Sequence, residues 1–134
     1  MYVINHIKTL ITLSPYVAHC VVVREDAIGQ IGLFRYRLTL SNGDLMEMFE
    51  RFSVVAGHLQ ITKYSFHWQD TDGQLRKRWD NATHYPSIPT NPHHLHDGAQ
   101  DNVLPHEPMS AQKVLDRDYY SKKQPVNGCF FYGL

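Results

Sequence analysis

Two short runs near the middle of the chain carry the residue types that RNA cleavage uses. Residues 65–68 read Ser-Phe-His-Trp, and residues 76–81 read Arg-Lys-Arg-Trp-Asp-Asn. Here His67 can act as general base or acid on a phosphodiester, Arg78 can stabilise the negative charge that develops on the phosphoryl oxygens, and Asp80 can orient an imidazole. No further catalytic group is required, because the 2′-hydroxyl of RNA supplies the nucleophile. The competing interpretation is a solvated surface above a core that contains the two tryptophans.

A cluster of histidines further along the chain is the second candidate. Six of the nine histidines lie between residues 67 and 106, and residues 92–97 read Pro-His-His-Leu-His-Asp. Three histidines in four residues cannot all point one way along a strand, although a loop can gather two of them. Imidazole with carboxylate is a common ligand set for zinc or manganese, but this spacing matches no compact zinc signature. We predict catalytic or substrate-binding roles without a metal or cofactor, and keep a metal site and a purely structural loop as alternatives. The histidines concerned are His84, His93, His94 and His96.

Cations on neighbouring segments extend this surface. The predicted substrate-binding residues are Arg35, Arg37, Lys63, Ser65 and Arg76. Arginine presents a planar fork that matches a phosphate group, so an arginine-rich sheet face favours an anionic ligand over plain solvent. The alternative for Arg35 is an ion pair with Glu50 that binds no ligand.

Composition and motif content exclude several classes of protein. The 134-residue chain has 13 Lys plus Arg and 13 Asp plus Glu, so its formal net charge is zero. That balance excludes a uniformly basic nucleic-acid binder, although not a local basic patch. No apolar run is long enough for a membrane span, and the first twenty residues are too polar for a signal peptide. We therefore expect a cytoplasmic protein with no membrane partner. The sequence has no P-loop, Gly-x-Ser-x-Gly or His-Glu-x-x-His motif, so the corresponding hydrolases are not expected.

The elements that must position these residues follow from the hydrophobic pattern. Apolar residues at helical spacing predict an amphipathic helix over residues 2–13, ending at Ser14-Pro15. Strands are predicted over residues 17–25, 33–40, 44–55, 59–69 and 74–80, with a loop over residues 26–32. Beyond residue 82 the chain is predicted to be irregular until a second helix over residues 109–118, with Ser110 as its N-cap. The predicted fold class is α+β, an antiparallel meander of about five strands with the N-terminal helix on its aromatic face. One domain is expected over residues 1–120 and a tail over residues 121–134.

Turn lengths then predict which side chains are neighbours. With two-residue turns at residues 42–43 and 56–57, Arg35 pairs with Glu50, and Glu50 pairs with Lys63. With a four-residue loop at residues 70–73, His67 pairs with Arg76. One face is then the aromatic core, which also receives Phe49 and Glu47. The opposite, polar face carries Arg35, Arg37, Glu50, Lys63, Ser65, His67, Arg76, Arg78 and Asp80.

Four short motifs spread over more than half of the chain match a known family. They are Arg-Leu-Thr-Leu at residues 37–40, Tyr-Ser-Phe-His-Trp-Gln at residues 64–69, Arg-Trp-Asp-Asn at residues 78–81 with His84, and Pro-His-His-Leu-His at residues 92–96. With these motifs the sequence resembles the TumE family of small bacterial proteins, which is annotated mainly from toxin–antitoxin gene pairs. The resemblance implies a toxin whose partner is a small antitoxin with a helix-turn-helix domain. RNA cleavage follows only by analogy with other toxins of this size.

Three functions remain open from the sequence. The first is a metal-independent endoribonuclease toxin, with His67 or a loop histidine as general base, a second histidine as general acid and Arg78 as charge stabiliser. The alternative is a non-catalytic RNA- or protein-binding module that uses Arg35, Arg37 and Arg78. A weaker alternative is a metal-dependent nuclease that uses Asp80 and the histidine loop. RNA and the antitoxin are the expected partners, and a homo-oligomer is left open.

Overall fold

The computed structural model describes residues 1–116, and its first element is helix α1, Tyr2–Leu13. The buried residues of α1 recur at the predicted helical spacing; they are Val3, Ile4, Ile7 and Ile11. The helix ends at Ser14, whose ψ of 124° is extended because Pro15 follows. The predicted first helix is therefore confirmed.

Within residues 1–116, seven antiparallel strands form one sheet in chain order. They are β1 (Val17–Ile28), β2 (Ile31–Leu40), β3 (Leu45–Val55), β4 (His58–Gln69), β5 (Leu75–Asp80), β6 (His94–Asp97) and β7 (Val103–Pro105). The α+β class is confirmed, whereas the expected five strands are two too few. The predicted loop over residues 26–32 is also too long, since only residues 29 and 30 separate β1 from β2. Strands β6 and β7 were not predicted because they are short. The pairing of β6 with β5 and with β7 stabilises their extended conformation more than their local sequence does.

A short second helix, α2 (Ala111–Leu115), follows the sheet. Its N-cap is Ser110, as predicted, whose hydroxyl accepts a hydrogen bond from the backbone N–H of Lys113 at 3.1 Å. The helix is shorter than the predicted 109–118, and the last two of those residues and the predicted tail over residues 121–134 lie outside the described residues. Neither α1 nor α2, the helices of residues 1–116, has the length and apolar character that a membrane crossing requires.

The inner face of the sheet and both helices enclose one hydrophobic core, so the helix does cover the aromatic face as predicted. The sheet contributes Phe34, Tyr36, Leu38, Met46, Met48, Phe52, Tyr64, Phe66, Trp68 and Trp79, and the second helix contributes Ala111 and Val114. Side chains alternate between the two faces of a strand. The intervening residues of β2 to β5 therefore form the outer face, on which the candidate site lies.

The first hairpin corrects the predicted register by one residue. The Leu40 N–H bonds to the Asp44 carbonyl, and the Gly43 N–H bonds back to Leu40, so the loop has three residues rather than two. Gly43 occupies the left-handed position of this loop, with φ +93°. As a result Arg35 lies opposite Phe49, and the predicted Arg35–Glu50 pair is wrong.

The second hairpin has the predicted two-residue turn, but a bulge follows it. Val55 pairs with His58 around Ala56 and Gly57, both of which have positive φ. An extra residue, Thr62, then shifts the register, so that Lys63 lies opposite Arg51 instead of Glu50.

The longer first loop inverts β3 relative to β2, and the bulge in β4 keeps β4 on its predicted faces. Glu47 and Phe49, which were predicted on the core face, lie on the outer face, and Glu50 is buried on the inner face.

The third hairpin decides which arginine meets His67. Asp70 N–H bonds to the Gln74 carbonyl, which again gives a three-residue loop, and Arg76 is the extra residue of a bulge in β5. His67 therefore lies opposite Arg78, and the predicted His67–Arg76 pair is wrong.

Candidate functional site

A cleft of about 330 Å³ on the outer face gathers polar side chains from four neighbouring strands. Its lining residues come from β2, β3, β4 and β5; they are Arg35, Glu47, Phe49, Lys63, Ser65, His67 and Arg78. Five of these were predicted as site residues. The cleft combines three cations, one carboxylate and one imidazole.

The carboxylate of Glu47 holds the arginines of β2. Arg35 Nη1 donates to Glu47 Oε1 at 2.7 Å, and Arg37 Nη2 donates to Oε2 at 3.3 Å. The guanidinium of Arg35 also lies 4.6 Å from the centre of the Phe49 ring. Burial opposes ionisation of Glu47, but these two arginines outweigh it and lower its pKa. Arg35 is thereby fixed at the rim of the cleft.

His67 is half-buried and held between Arg78 and Gln69. Arg78 Nη1 lies 3.4 Å from Nδ1, and Gln69 Oε1 lies 3.2 Å from Nε2. Because a guanidinium only donates, Nδ1 must accept and the proton resides on Nε2. Burial lowers the pKa of His67, and the charge of Arg78 lowers it further, against weaker opposing effects of Gln69 and Glu47. His67 is therefore a neutral imidazole with a lone pair near an arginine.

Arg78 links the cleft to a buried cluster at the junction of β5 and β6, formed by Asp80, His94 and His96. Its Nε donates to Asp80 Oδ2 at 3.1 Å. Nε2 of His94 lies 3.0 Å from Asp80 Oδ1, and Nε2 of His96 lies 3.5 Å from Oδ2. The three residues of the cluster are each less than 7% exposed. They lie together because Asp80 pairs with His94, and because residues two apart on β6 share a face.

The other ring nitrogens of this cluster bind the main chain. Nδ1 of His94 donates to the Pro92 carbonyl at 2.9 Å, and Nδ1 of His96 donates to the Gln100 carbonyl at 2.7 Å. Tyr85 packs edge-on against both rings, with centroids 4.9 and 5.9 Å away. The Asp80–His94–His96 cluster is therefore rigid. Each residue offers one possible ligand atom, and these three atoms lie within 4.8 Å of one another. These are the described residues that could hold a metal ion.

Three predicted site residues lie away from this arrangement. His84 is exposed and contacts the edge of Tyr85. His93 stacks on Tyr64, with its Nδ1 2.9 Å from the tyrosine hydroxyl, and so faces the core side. Arg76 Nε donates to the buried Asp44 at 2.6 Å. The structure brings none of these three to the cleft.

Sequence reasoning missed three residues of the site, namely Glu47, Phe49 and Gln69. The two on β3 were assigned to the wrong face because the first loop is one residue longer than an Asn-Gly turn suggests. The signal for this was Ser41 before Asn42-Gly43, which permits a three-residue loop with glycine last. Gln69 is two residues from His67, so its position on the same face of β4 was predictable from the strand period.

The comparison with family models identifies the class of this protein as a toxin component of a toxin–antitoxin system. Residues 7–118 match the family described as Toxin TumE. Since this match spans most of the chain, the protein belongs to the TumE toxin family, and a cognate antitoxin is its implied partner. No curated protein matches the chain, and no solved structure does.

Proposed function

We propose that this toxin is an endoribonuclease that cleaves RNA in the outer-face cleft, with no metal ion required for the cleavage step. The observation that carries the proposal is the neutral, half-buried His67 whose Nδ1 faces the guanidinium of Arg78. A base that is unprotonated at pH 7 and lies beside a fixed cation has the two properties that attack of a 2′-hydroxyl on phosphorus needs.

The cleft supplies the contacts that would position an RNA backbone. Lys63 is exposed and Arg35 is held at the rim by Glu47, so both present positive charge to a phosphate. A phosphate that binds Arg78 takes over its Nη1 donor, and this frees the Nδ1 lone pair of His67. The substrate itself thereby activates the base.

The proton and bond changes then balance. His67 Nδ1 accepts the proton of the 2′-hydroxyl, the 2′-oxygen bonds to phosphorus, and the bond from phosphorus to the 5′-oxygen breaks. The leaving oxygen takes its proton from water in the open cleft. His94 and His96 do not serve as the general acid in this scheme, since both are buried and donate Nδ1–H to carbonyls. The products carry a 2′,3′-cyclic phosphate and a 5′-hydroxyl.

We further propose that the cognate antitoxin carries a helix-turn-helix domain, which the family resemblance implies. Co-expression with the neighbouring gene product, followed by purification of the complex, tests this partner. A stable complex in which the toxin no longer cleaves RNA supports the assignment. A neighbouring product that neither binds nor neutralises the toxin contradicts it.

Cleavage of matched oligonucleotides by the purified full chain tests the proposed chemistry. The probe is a short single-stranded RNA that the toxin cuts, compared with the same oligonucleotide carrying deoxyribose at the cut position. We expect cyclic-phosphate ends from the first and no cut at that position in the second, with unchanged rates in EDTA. Equal cleavage of both would exclude the 2′-hydroxyl mechanism, and salt-sensitive RNA binding with no product would favour the non-catalytic binding module.

A further inference from the structure

In the Asp80–His94–His96 cluster, the two buried histidine rings are oriented so that neither Nε2 atom carries the ring proton. A backbone carbonyl can only accept, so the bonds to Pro92 and Gln100 fix the ring proton of each histidine on Nδ1. In a neutral ring Nε2 then carries a lone pair. Both lone pairs face the carboxylate of Asp80, which also carries only lone pairs.

The Nε2 atom of His94 is the unpartnered polar atom of this cluster. Its side chain is 2% exposed, and its Nε2 lies 3.0 Å from Asp80 Oδ1. The ring is turned so that a proton on Nε2 would not make a hydrogen bond to that oxygen, and this nitrogen has no hydrogen-bond partner among residues 1–116. A buried nitrogen without a partner destabilises the folded state, so such an atom needs an explanation.

We propose that Asp80, His94 and His96 form a binding site for one divalent transition-metal ion, zinc by the choice of ligands. Zinc binds imidazole nitrogen and carboxylate oxygen at about 2.0–2.2 Å, which places two tetrahedral ligand atoms about 3.4 Å apart. The two observed nitrogen–oxygen distances are 3.0 and 3.5 Å. One ion between the three side chains satisfies His94 Nε2 and His96 Nε2 at once.

The surroundings of the cluster are those of a metal site. Histidine ligands usually donate their second N–H to a carbonyl or carboxylate, which fixes the ring and makes the coordinating nitrogen more basic. Here both histidines do so. The Asp80 oxygens are also held, Oδ2 by Arg78 and Oδ1 by the Ala82 N–H at 3.0 Å. The three ligands are thus oriented before an ion arrives.

The ligand set also predicts which ions are rejected. Magnesium and calcium favour oxygen ligands, whereas imidazole favours zinc and its transition-metal neighbours. Three protein ligands leave a fourth coordination position for water, as in zinc sites that are not purely structural. The site is distinct from the His67 cleft, and the inference does not depend on RNA cleavage.

Metal titration of the full-length, chelator-treated protein tests the site. We expect one Zn²⁺ bound per chain against a chromophoric competitor, no competition from Mg²⁺, and a melting temperature that rises by about 10 °C at zinc near 100 times its Kd. The variants Asp80→Asn and His94→Gln should each weaken zinc binding at least about 100-fold, because each removes a ligand. The matched control is His84→Gln, an exposed histidine of the preceding loop, which should bind zinc as the unaltered chain does.

A second readout uses only the unaltered protein and therefore does not depend on the folding of the variants. Co²⁺ in the site should give the intense visible absorption of four-coordinate cobalt, and zinc should displace it. No stoichiometric zinc, weak octahedral-type cobalt absorption, or zinc affinity retained in both ligand variants would overturn the proposal. Zinc binding without RNA cleavage would contradict only the proposed function, and cleavage without zinc binding would contradict only this site.

Discussion

Histidines occur in two adjacent regions of the outer face, and the two regions hold them in opposite ways. His67 in the cleft is held by the side chains of Arg78 and Gln69, which a bound substrate can displace. His94 and His96 are held by main-chain carbonyls, which it cannot displace. The same residue type is therefore suited to proton transfer in the cleft and to coordination in the Asp80–His94–His96 cluster. The difference between the two regions arises from how deeply the histidines are buried and from whether a side chain or the main chain holds the ring.

The largest expected effect is on stability, through Asp80. Removing this buried carboxylate in Asp80→Ala leaves the Arg78 guanidinium and the Ala82 N–H without their acceptor, which should cost about 4 kcal/mol of unfolding free energy. Urea denaturation measures the loss. The control Asp97→Ala breaks only a partly exposed ion pair with Lys77 and should cost less than about 1 kcal/mol. Equal losses in the two variants would show that the cluster is no more rigid than the surface.

A buried carboxyl on the inner face sharpens the comparison with Asp80. Glu50 accepts a hydrogen bond from the Ala111 N–H, yet burial dominates and raises its pKa from 4.5 to about 7. The folded chain therefore keeps a proton that the unfolded chain releases. The contribution of Glu50 to the free energy of unfolding is therefore fully present below about pH 4.5. It is lost as the pH rises to about 7, and the loss amounts to about 3 kcal/mol in total.

The variant Glu50→Gln should lack this loss. Urea denaturation of both proteins at pH 4.5 and pH 8 isolates the contribution, because all other titrating groups are shared. The difference in unfolding free energy between the proteins should shift by about 3 kcal/mol in favour of the variant at pH 8. A difference that is independent of pH would mean that Glu50 is ionised at both values.

In the cleft, the effect should fall on activity and not on stability. The variant His67→Gln keeps a half-buried polar side chain of similar size, so its unfolding free energy should change by less than about 1 kcal/mol. Loss of the general base should slow RNA cleavage about 100-fold. Rates and urea curves measured on the same preparation separate these outcomes. A large stability loss with normal cleavage would reverse the roles assigned to the two regions.

The smallest expected effect is a shift of the pH–rate profile. Burial and Arg78 lower the pKa of His67, while Gln69 and Glu47 oppose them. Because His67 must be unprotonated, the cleavage rate should rise with pH. The midpoint of this rising limb of the pH–rate profile should lie below the ordinary pKa of histidine. Replacing the cation in Arg78→Gln should move this limb to higher pH as well as lower the rate. A limb that stays in place would mean that a group other than His67 sets it.

The sequence predicted those parts of the fold that depend on local pattern. Helical spacing specified α1, and alternation with Gly-containing turns specified the strands from β2 to β5. Strands β6 and β7 could not be found in this way, because each becomes a strand only by pairing with its neighbour. The candidate site depends on that pairing. Side chains alternate along β6, so His94 and His96 share the outer face, whereas His93 precedes the strand and faces the core side.

Register explains most of the remaining errors in the candidate site. A histidine beside an arginine was predicted, but the bulge at Arg76 makes the partner Arg78. Glu47 was placed in the core because one extra loop residue inverts every side chain of β3. Loop length and bulges arise from tertiary strand pairing, so neither is visible in residue spacing alone.

The most direct test of the central claim is induced expression of the toxin without its antitoxin in a bacterial host, with growth and total RNA integrity followed together. The unaltered chain is compared with His67→Gln and with the exposed-histidine control His84→Gln. We predict growth arrest with RNA fragmentation in the unaltered chain and the control, and neither effect in the His67 variant. Arrest with intact RNA, or fragmentation that persists in His67→Gln, would contradict an RNA-cleaving site in this cleft.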